Sequence, residues 1–232
     1  MMNKETVKTL QDLLIQAAAE YGDKVYMREK CGKEFSDTTF SQLKENCRRV
    51  SAFLNECTGG TKTHAAVIGA TSAAYLTCYF GTACMGNVSV PLDAQLGVED
   101  LCDHLQRADA EVFFFDKRYV SMLEDIRANC PKIHTYVSMQ DIDENGVFCL
   151  SEIISNYQPM QWNKIDSESC AAIVYTSGTT GKSKGVMLSH RNLIDNTMCQ
   201  DGESSTEDVT MTILPIHHVY CFTCDILLGL RY

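Results

Sequence analysis

Between residues 64 and 137 short apolar runs take turns with helical periodicities. Residues 64–69, 88–92, 111–115 and 133–137 read as strands, and residues 72–85, 98–108 and 117–129 as the helices between them. Pro91 stands near the end of the second strand, and Pro131 follows the last helix. Parallel strands need long crossover connections, so this rhythm specifies an α/β fold: a doubly wound, mainly parallel sheet with helices on both faces. Residues 65–92 hold no charged side chain, which raises the alternative of a membrane span. Gly69, Gly81, Gly86 and several hydroxyl residues interrupt the stretch, so strand, helix and strand is the better reading.

Ahead of this rhythm, Leu10, Leu13, Leu14, Ala17 and Ala18 repeat at helical spacing within residues 7–21, and Gly22 supplies a stop. Residues 24–30 and 33–35 read as a hairpin around Cys31 and Gly32. Thr39 is placed to cap a helix through Leu43, Cys47, Val50 and Leu54, which Gly59 and Gly60 end. After residue 137 come a polar turn at 141–146, an apolar piece at 147–150 and short helical turns.

The densest chemistry lies at residues 171–191, AAIVYTSGTTGKSKGVMLSHR. An apolar strand, 171–175, runs into Thr176, Ser177, Gly178, Thr179, Thr180, Gly181 and Lys182, then Ser183, Lys184 and Gly185. Glycines let a backbone approach a ligand closely, and successive N–H groups then form an anion-binding concavity. The hydroxyls add donors, and Lys182 and Lys184 add positive charge. A plain hairpin turn needs only two to five linking residues, fewer than this loop has. A Walker-type phosphate loop needs four residues between its glycines, whereas only Thr179 and Thr180 separate Gly178 from Gly181.

Residues 175–185 resemble the phosphate-loop signature of the adenylate-forming enzymes: the acyl-CoA synthetases, the luciferases and the adenylation domains of peptide synthetases. Their pattern is close to Y-T-S-G-[ST]-T-G-x-P-K-G, and this chain matches it at all but one place, where Ser183 replaces proline. Proline would fix φ and lower loop entropy, so the difference bears on loop stiffness. The segment G-N-V-S-V-P-L-D at residues 86–93 is similar to a second family segment, although alone it reads as a buried strand and turn.

Beyond the loop, residues 189–200 are expected to form a helix whose N-terminal dipole favours an anion near the glycines. Residues 201–208 form a polar linker and 209–214 a strand ended by Pro215. Residues 214–220 resemble the family segment L-P-x-x-H-x-[FY]. The resemblance assigns the His near the acyl carboxylate to His218 and the pocket aromatic to Tyr220, with His217 beside them. Read without it, a His pair at a strand end is a structural histidine. His217, His218, Cys221 and Cys224 also spell a possible zinc set, and Cys221 with Cys224 a possible redox pair. The apolar surroundings of Phe222, Ile226, Leu227 and Leu228 favour a buried helix instead, so no metal ligand is assigned.

The net charge of −10, from 20 basic and 30 acidic residues, argues against a nucleic-acid partner. Twelve scattered cysteines and a charged N-terminus without a signal-length apolar core fit a reduced, cytoplasmic setting. The resemblance implies ATP-dependent activation of a carboxylic acid, fatty or aryl, to acyl-AMP, followed by transfer to coenzyme A. It implies ATP and Mg2+, with Thr176 to Lys182, Lys184 and Gly185 at the phosphates. The family's adenine, ribose, magnesium and lysine segments have no counterpart here, so an inactive N-terminal portion is expected. Residues 61–204 would form the first α/β subdomain, and 1–60 with 205–232 parts of a second, incomplete sheet. An amino-acid adenylation domain and a non-catalytic nucleotide-binding piece are the alternatives.

Overall fold

The structure, a computed structural model, describes residues 5–176, 183–200, 205 and 207–232. Helix α1 (Leu10–Tyr21) opens on a reciprocal cap, in which the Thr9 hydroxyl accepts from the Asp12 N–H and the Asp12 carboxylate accepts from the Thr9 N–H. Strands β1 (Val25–Cys31) and β2 (Glu34–Thr39) pair antiparallel as a separate two-stranded sheet. Thr39 then caps α2 (Phe40–Cys57) with Gln42 in the same reciprocal manner.

The main sheet has seven strands: β3 (His64–Ile68), β4 (Val88–Leu92), β5 (Val112–Phe115), β6 (Thr135–Ser138), β7 (Phe148–Cys149), β8 (Cys170–Thr176) and β9 (Lys184–Ser189). Their order is β7-β6-β5-β3-β4-β8-β9; all neighbours run parallel except β9, which is antiparallel to β8. Helices α3 (Ala73–Ala83), α4 (Val98–Arg107), α5 (Leu123–Asn129), α6 (Leu150–Asn156) and α7 (His190–Met198) supply the crossovers and the return from β9. The start of the expected 117–129 helix is a 3-10 turn, Lys117–Met122, with α5 following it.

Both faces of the central strands, β3 to β6, are buried, whereas edge strand β9 is largely exposed. Ala65, Val67, Val112 and Phe114 pack beneath α1, α2 and α3, while Ala66, Ile68, Phe113 and Phe115 pack beneath α4 and α5. The first core draws on residues from Val7 to Leu230, so the N-terminal helices and the tail share it with the sheet. Residues 65–92 form strand, helix and strand, and no helix among the described residues is long and apolar enough to cross a membrane.

Two expectations are corrected. Residues 209–214 form no strand; Val209, Met211 and Ile213 are largely exposed, and no described strand lies beside them to complete a ladder. Helix α7 does not begin near the loop ends, Thr176 and Lys184, either. Strand β9 carries the chain back by roughly 17 Å at strand rise, so α7 begins beside Cys170, at the opposite end of β8. Its first amides are already engaged: Ser189 caps Asn192, and the Ser169 and Ser167 carbonyls accept from His190 and Arg191. His190 accepts at Nδ1 from the Leu10 N–H at 3.3 Å, and burial pushes its pKa down to about 4.

The close packing of α3 on α2 depends on Gly81, where a Cβ would lie 2.8 Å from Val50 Cβ and 3.0 Å from the Cys47 carbonyl oxygen. Gly81→Ala is expected to lower stability by about 1–3 kcal/mol through overpacking, measured as a shift in the urea midpoint at unchanged slope.

Candidate functional site

Strands β4 and β8 lie side by side and parallel, with Ser89 opposite Ala172, so both end at the same edge of the sheet. In open α/β sheets ligands bind in the crevice outside the carboxyl ends of the strands. Asp93 follows β4 at this edge, and the glycine-rich loop follows β8. Ser177, Gly178, Thr179, Thr180, Gly181 and Lys182 lie outside the described residues. Thr176 and Lys184 face each other across the β8–β9 ladder as the last pair before the loop, and both are exposed.

Gly185, also expected at the phosphates, has a place within the sheet. It pairs with Tyr175 inside the ladder, and a Cβ there would meet Ile173 Cγ2 at 3.0 Å. Its missing side chain lets β9 lie against Ile173.

Tyr175 is held from α4. Its ring stacks on His104 at 4.0 Å, and its hydroxyl donates to the His104 carbonyl at 2.8 Å. On the other side of the loop, Arg107 Nη2 donates to the Ser183 carbonyl at 2.8 Å.

The tail returns to the same edge. His217 is 8% exposed, and its Nε2 lies 3.8 Å from Asp93 Oδ2. The His218 ring sits 4.3 Å from it, exposed, at the position preceding the terminal helix. Burial lowers the His217 pKa; Asp93 opposes that shift and His218 adds to it. A histidine held neutral can donate from one nitrogen and accept at the other. The buried place thus belongs to His217, whereas the resemblance assigned the acyl-facing role to His218.

The terminal helix, 219–231, contains a π-helical stretch, Phe222–Leu227. Between it and α7 lies a cleft of about 490 Å³, with Leu188, Leu193 and Val219 as apolar wall and Tyr220, Asn196 and Cys224 also lining it. Such a volume is in the range of small-molecule pockets. Gln200 Nε2 donates to Cys224 Sγ, and Cys221 donates to the Leu214 carbonyl. The possible zinc set is therefore spread over separate partners. Among the described residues no three His, Cys, Asp or Glu side chains converge as a metal-holding group.

The sequence pointed to the loop, the His pair and Tyr220 but not to Asp93, His104 or Arg107. Asp93 carried a signal, because it closes the P-L-D segment. His104 and Arg107 read only as polar residues on a helix.

The model of the AMP-binding enzyme family matches residues 14–232. A long-chain-fatty-acid–CoA ligase of Thermus thermophilus is 27% identical over 224 residues, covering 94% of this chain and 40% of that protein. A 4-coumarate:CoA ligase of Petunia hybrida is 26% identical over 200 residues, covering 83% of this chain and 36% of that protein. The chain thus spans about two fifths of the length of the curated relatives it matches. Among solved structures, a red-emitting luciferase of Phrixothrix hirtus superposes with TM-score 0.81 at 18% identity, over 97% of this chain and 44% of that one. A fatty acyl-adenylate ligase of L. pneumophila, in complex with acyl adenylate and pyrophosphate, superposes with TM-score 0.75 at 20% identity, over 99% of this chain and 39% of that one.

His217 is expected to titrate below the ordinary histidine value, and Asp93→Asn to lower its midpoint further by removing the opposing carboxylate. A depressed histidine stabilises the fold at neutral pH and loses that contribution as pH falls below the ordinary value. An NMR titration of the His217 ring checks both; a midpoint above the ordinary value contradicts them.

Proposed function

The chain belongs to the AMP-binding enzyme family, and from that premise we propose that its full-length protein activates a carboxylic acid with ATP and passes the acyl group to coenzyme A. The carboxylate oxygen attacks the α-phosphorus of ATP, the bond to the bridging oxygen breaks, and pyrophosphate leaves. The coenzyme A thiol, losing its proton, then attacks the acyl carbon and AMP departs. The observation that carries this reading is the placement of the loop ends Thr176 and Lys184 at the carboxyl edge of β4 and β8, beside Asp93 and buried His217.

In this reading Thr176 to Lys182 cradle the phosphates and Lys184 offsets their charge, a task of positioning and charge stabilisation. His217 and His218 face the acyl end, with His217 kept neutral by burial so that it can donate to a carboxylate oxygen. Tyr220 and the cleft beside α7 suit a fatty or aryl acid, in keeping with the acids for which the relatives are named. Magnesium would accompany ATP, but the described residues bring together no set that suits it, so no step of this chain is routed through the ion. The seven-stranded sheet, within residues 61–204, would be one half of a two-sheet catalytic domain. Residues 1–60 and 205–232 would contribute to the other half, with exposed 209–214 pairing there. Twelve free cysteines fit a reducing cytoplasm as its setting.

The test is ATP–pyrophosphate exchange by the full-length protein with fatty, aryl and amino acids in turn. Exchange with a fatty or aryl acid is expected, with none for the 232-residue chain alone. Exchange with amino acids only overturns the substrate class. Lys184→Ala is expected to slow exchange at least about tenfold, a loss of about 1.4 kcal/mol of transition-state stabilisation. An unchanged rate removes Lys184 from the mechanism.

A further inference from the structure

Strands β3 and β4 start at the sheet edge opposite Asp93, and the residues just before them wall a second cavity, of about 160 Å³. Lys62 stands ahead of β3 and Asn87 ahead of β4, while Met160 and Trp162 form the outer wall. Strand β4 is five residues long, so roughly 17 Å at strand rise separates this place from Asp93. The outer wall is fixed by α1 and α2. Arg48 Nε donates to the Met160 carbonyl at 2.7 Å, and the Trp162 indole N–H donates to Ser51 Oγ at 2.8 Å. Gln11 Nε2 donates to the carbonyls of Cys84 and Asn163, at 2.8 and 2.9 Å.

Asn87 is 3% exposed. Its Oδ1 accepts from the Thr63 N–H at 3.2 Å; a backbone N–H can only donate, so this bond fixes which end of the amide is oxygen. The other end, Nδ2, is buried, and no group among the described residues accepts from it. Buried polar groups are nearly always paired, so Nδ2 calls for an acceptor that the chain does not supply. Lys62 brings positive charge to the same wall, and among the described residues no carboxylate pairs with it. After burial, its charge is the next influence that lowers the His190 pKa, so the ammonium is felt inside this edge. Glu111 accepts from the Thr63 hydroxyl at 2.5 Å and does not line the cavity.

The donors narrow the ligand. Backbone N–H groups, which cradle phosphates elsewhere, are spent here: Gly60 donates to Asn55, Gly86 to Ala83 and Asn87 to Thr82. Side-chain amide and one ammonium remain, a set that suits the single charge of a carboxylate better than the double charge of a phosphate. Met85, Met160 and Trp162 supply the apolar part of the wall. A cavity of about 150 Å³ admits a molecule the size of benzene, which limits the carbon part to a single ring.

We propose that this cavity binds a small organic carboxylate, no larger than one ring, with its head on Asn87 Nδ2 and Lys62 and its carbon part against Trp162, Met85 and Met160. The site is separate from the carboxyl edge and does not depend on the activity proposed there.

Trp162 is the chain's one tryptophan, so its fluorescence reports on this cavity. The 232-residue chain is titrated with benzoate, benzamide and inorganic phosphate. Benzoate is expected to give a saturable change, with benzamide at least about tenfold weaker because it lacks the charge. Lys62→Gln, at an exposed position, is expected to weaken benzoate binding about tenfold. Asn87→Asp keeps the acceptor for Thr63 and puts an anion where Nδ2 stood, and is expected to abolish the saturable change. A linear, unsaturable change, equal midpoints for benzoate and benzamide, or an unchanged midpoint in Lys62→Gln overturns the site. Tighter binding of phosphate than of benzoate overturns the carboxylate class. His217→Gln, at the carboxyl edge, is expected to leave the benzoate midpoint unchanged. A weakened midpoint in that variant places the acid at the carboxyl edge and overturns the inference.

Discussion

Strand β8 is paired parallel to β4 on one side and antiparallel to β9 on the other, and this mixed pairing organises the candidate site. The parallel side puts the end of β8 beside Asp93. The antiparallel side makes the chain reverse at once, so both ends of the glycine-rich loop emerge from neighbouring strands of a packed sheet. β8 is buried on both faces: Ala172 and Val174 pack under one helical layer, and Ile173 and Tyr175 under the other. A one-residue slip would exchange those faces, so the core itself sets the register at the loop ends. Gly185 adds to this, since any side chain there would press on Ile173.

The same edge resolves a conflict of charge. The chain carries a net charge of −10, a poor background for a polyanion. On the proposed function, attraction for a polyphosphate would have to be local, and the sequence offers Lys182 and Lys184 for it. Asp93 is kept close to His217. Burial opposes a charged imidazole there, and the carboxylate favours one. The balance falls on the neutral form, which keeps a donor at the edge without adding a formal charge.

What could be read from the sequence follows from how each feature is encoded. The strands of a parallel sheet are buried on both faces, so 111–115 and 64–69 appear as continuous apolar runs whose length and flanks identify them. Caps at Thr39 and Ser189 are local chemistry and were legible for that reason. Failures arise where the answer is not local. Residues 209–214 alternate apolar and hydroxyl side chains as strands do, yet a strand exists only with a neighbour to bond. The anion expected at the start of α7 relied on nearness along the chain, and β9 turns that nearness into separation by the length of a strand. Asp93 and Arg107 gain meaning only when the fold brings β4 and α4 against β8.

The exposed stretch and the open edge of the site belong to one physical problem. Val209, Met211 and Ile213 are 97%, 82% and 77% exposed, and they lead directly to buried Ile216 and His217. Burying a side chain of this size gains roughly 1.5–3 kcal/mol, so covering all three would yield several kcal/mol. That is comparable with the whole net stability of a typical domain, about 5–15 kcal/mol. A strand laid against residues 209–214 would satisfy their amides and carbonyls and cover this surface in the same step. It would also fix the segment from which His217 reaches Asp93.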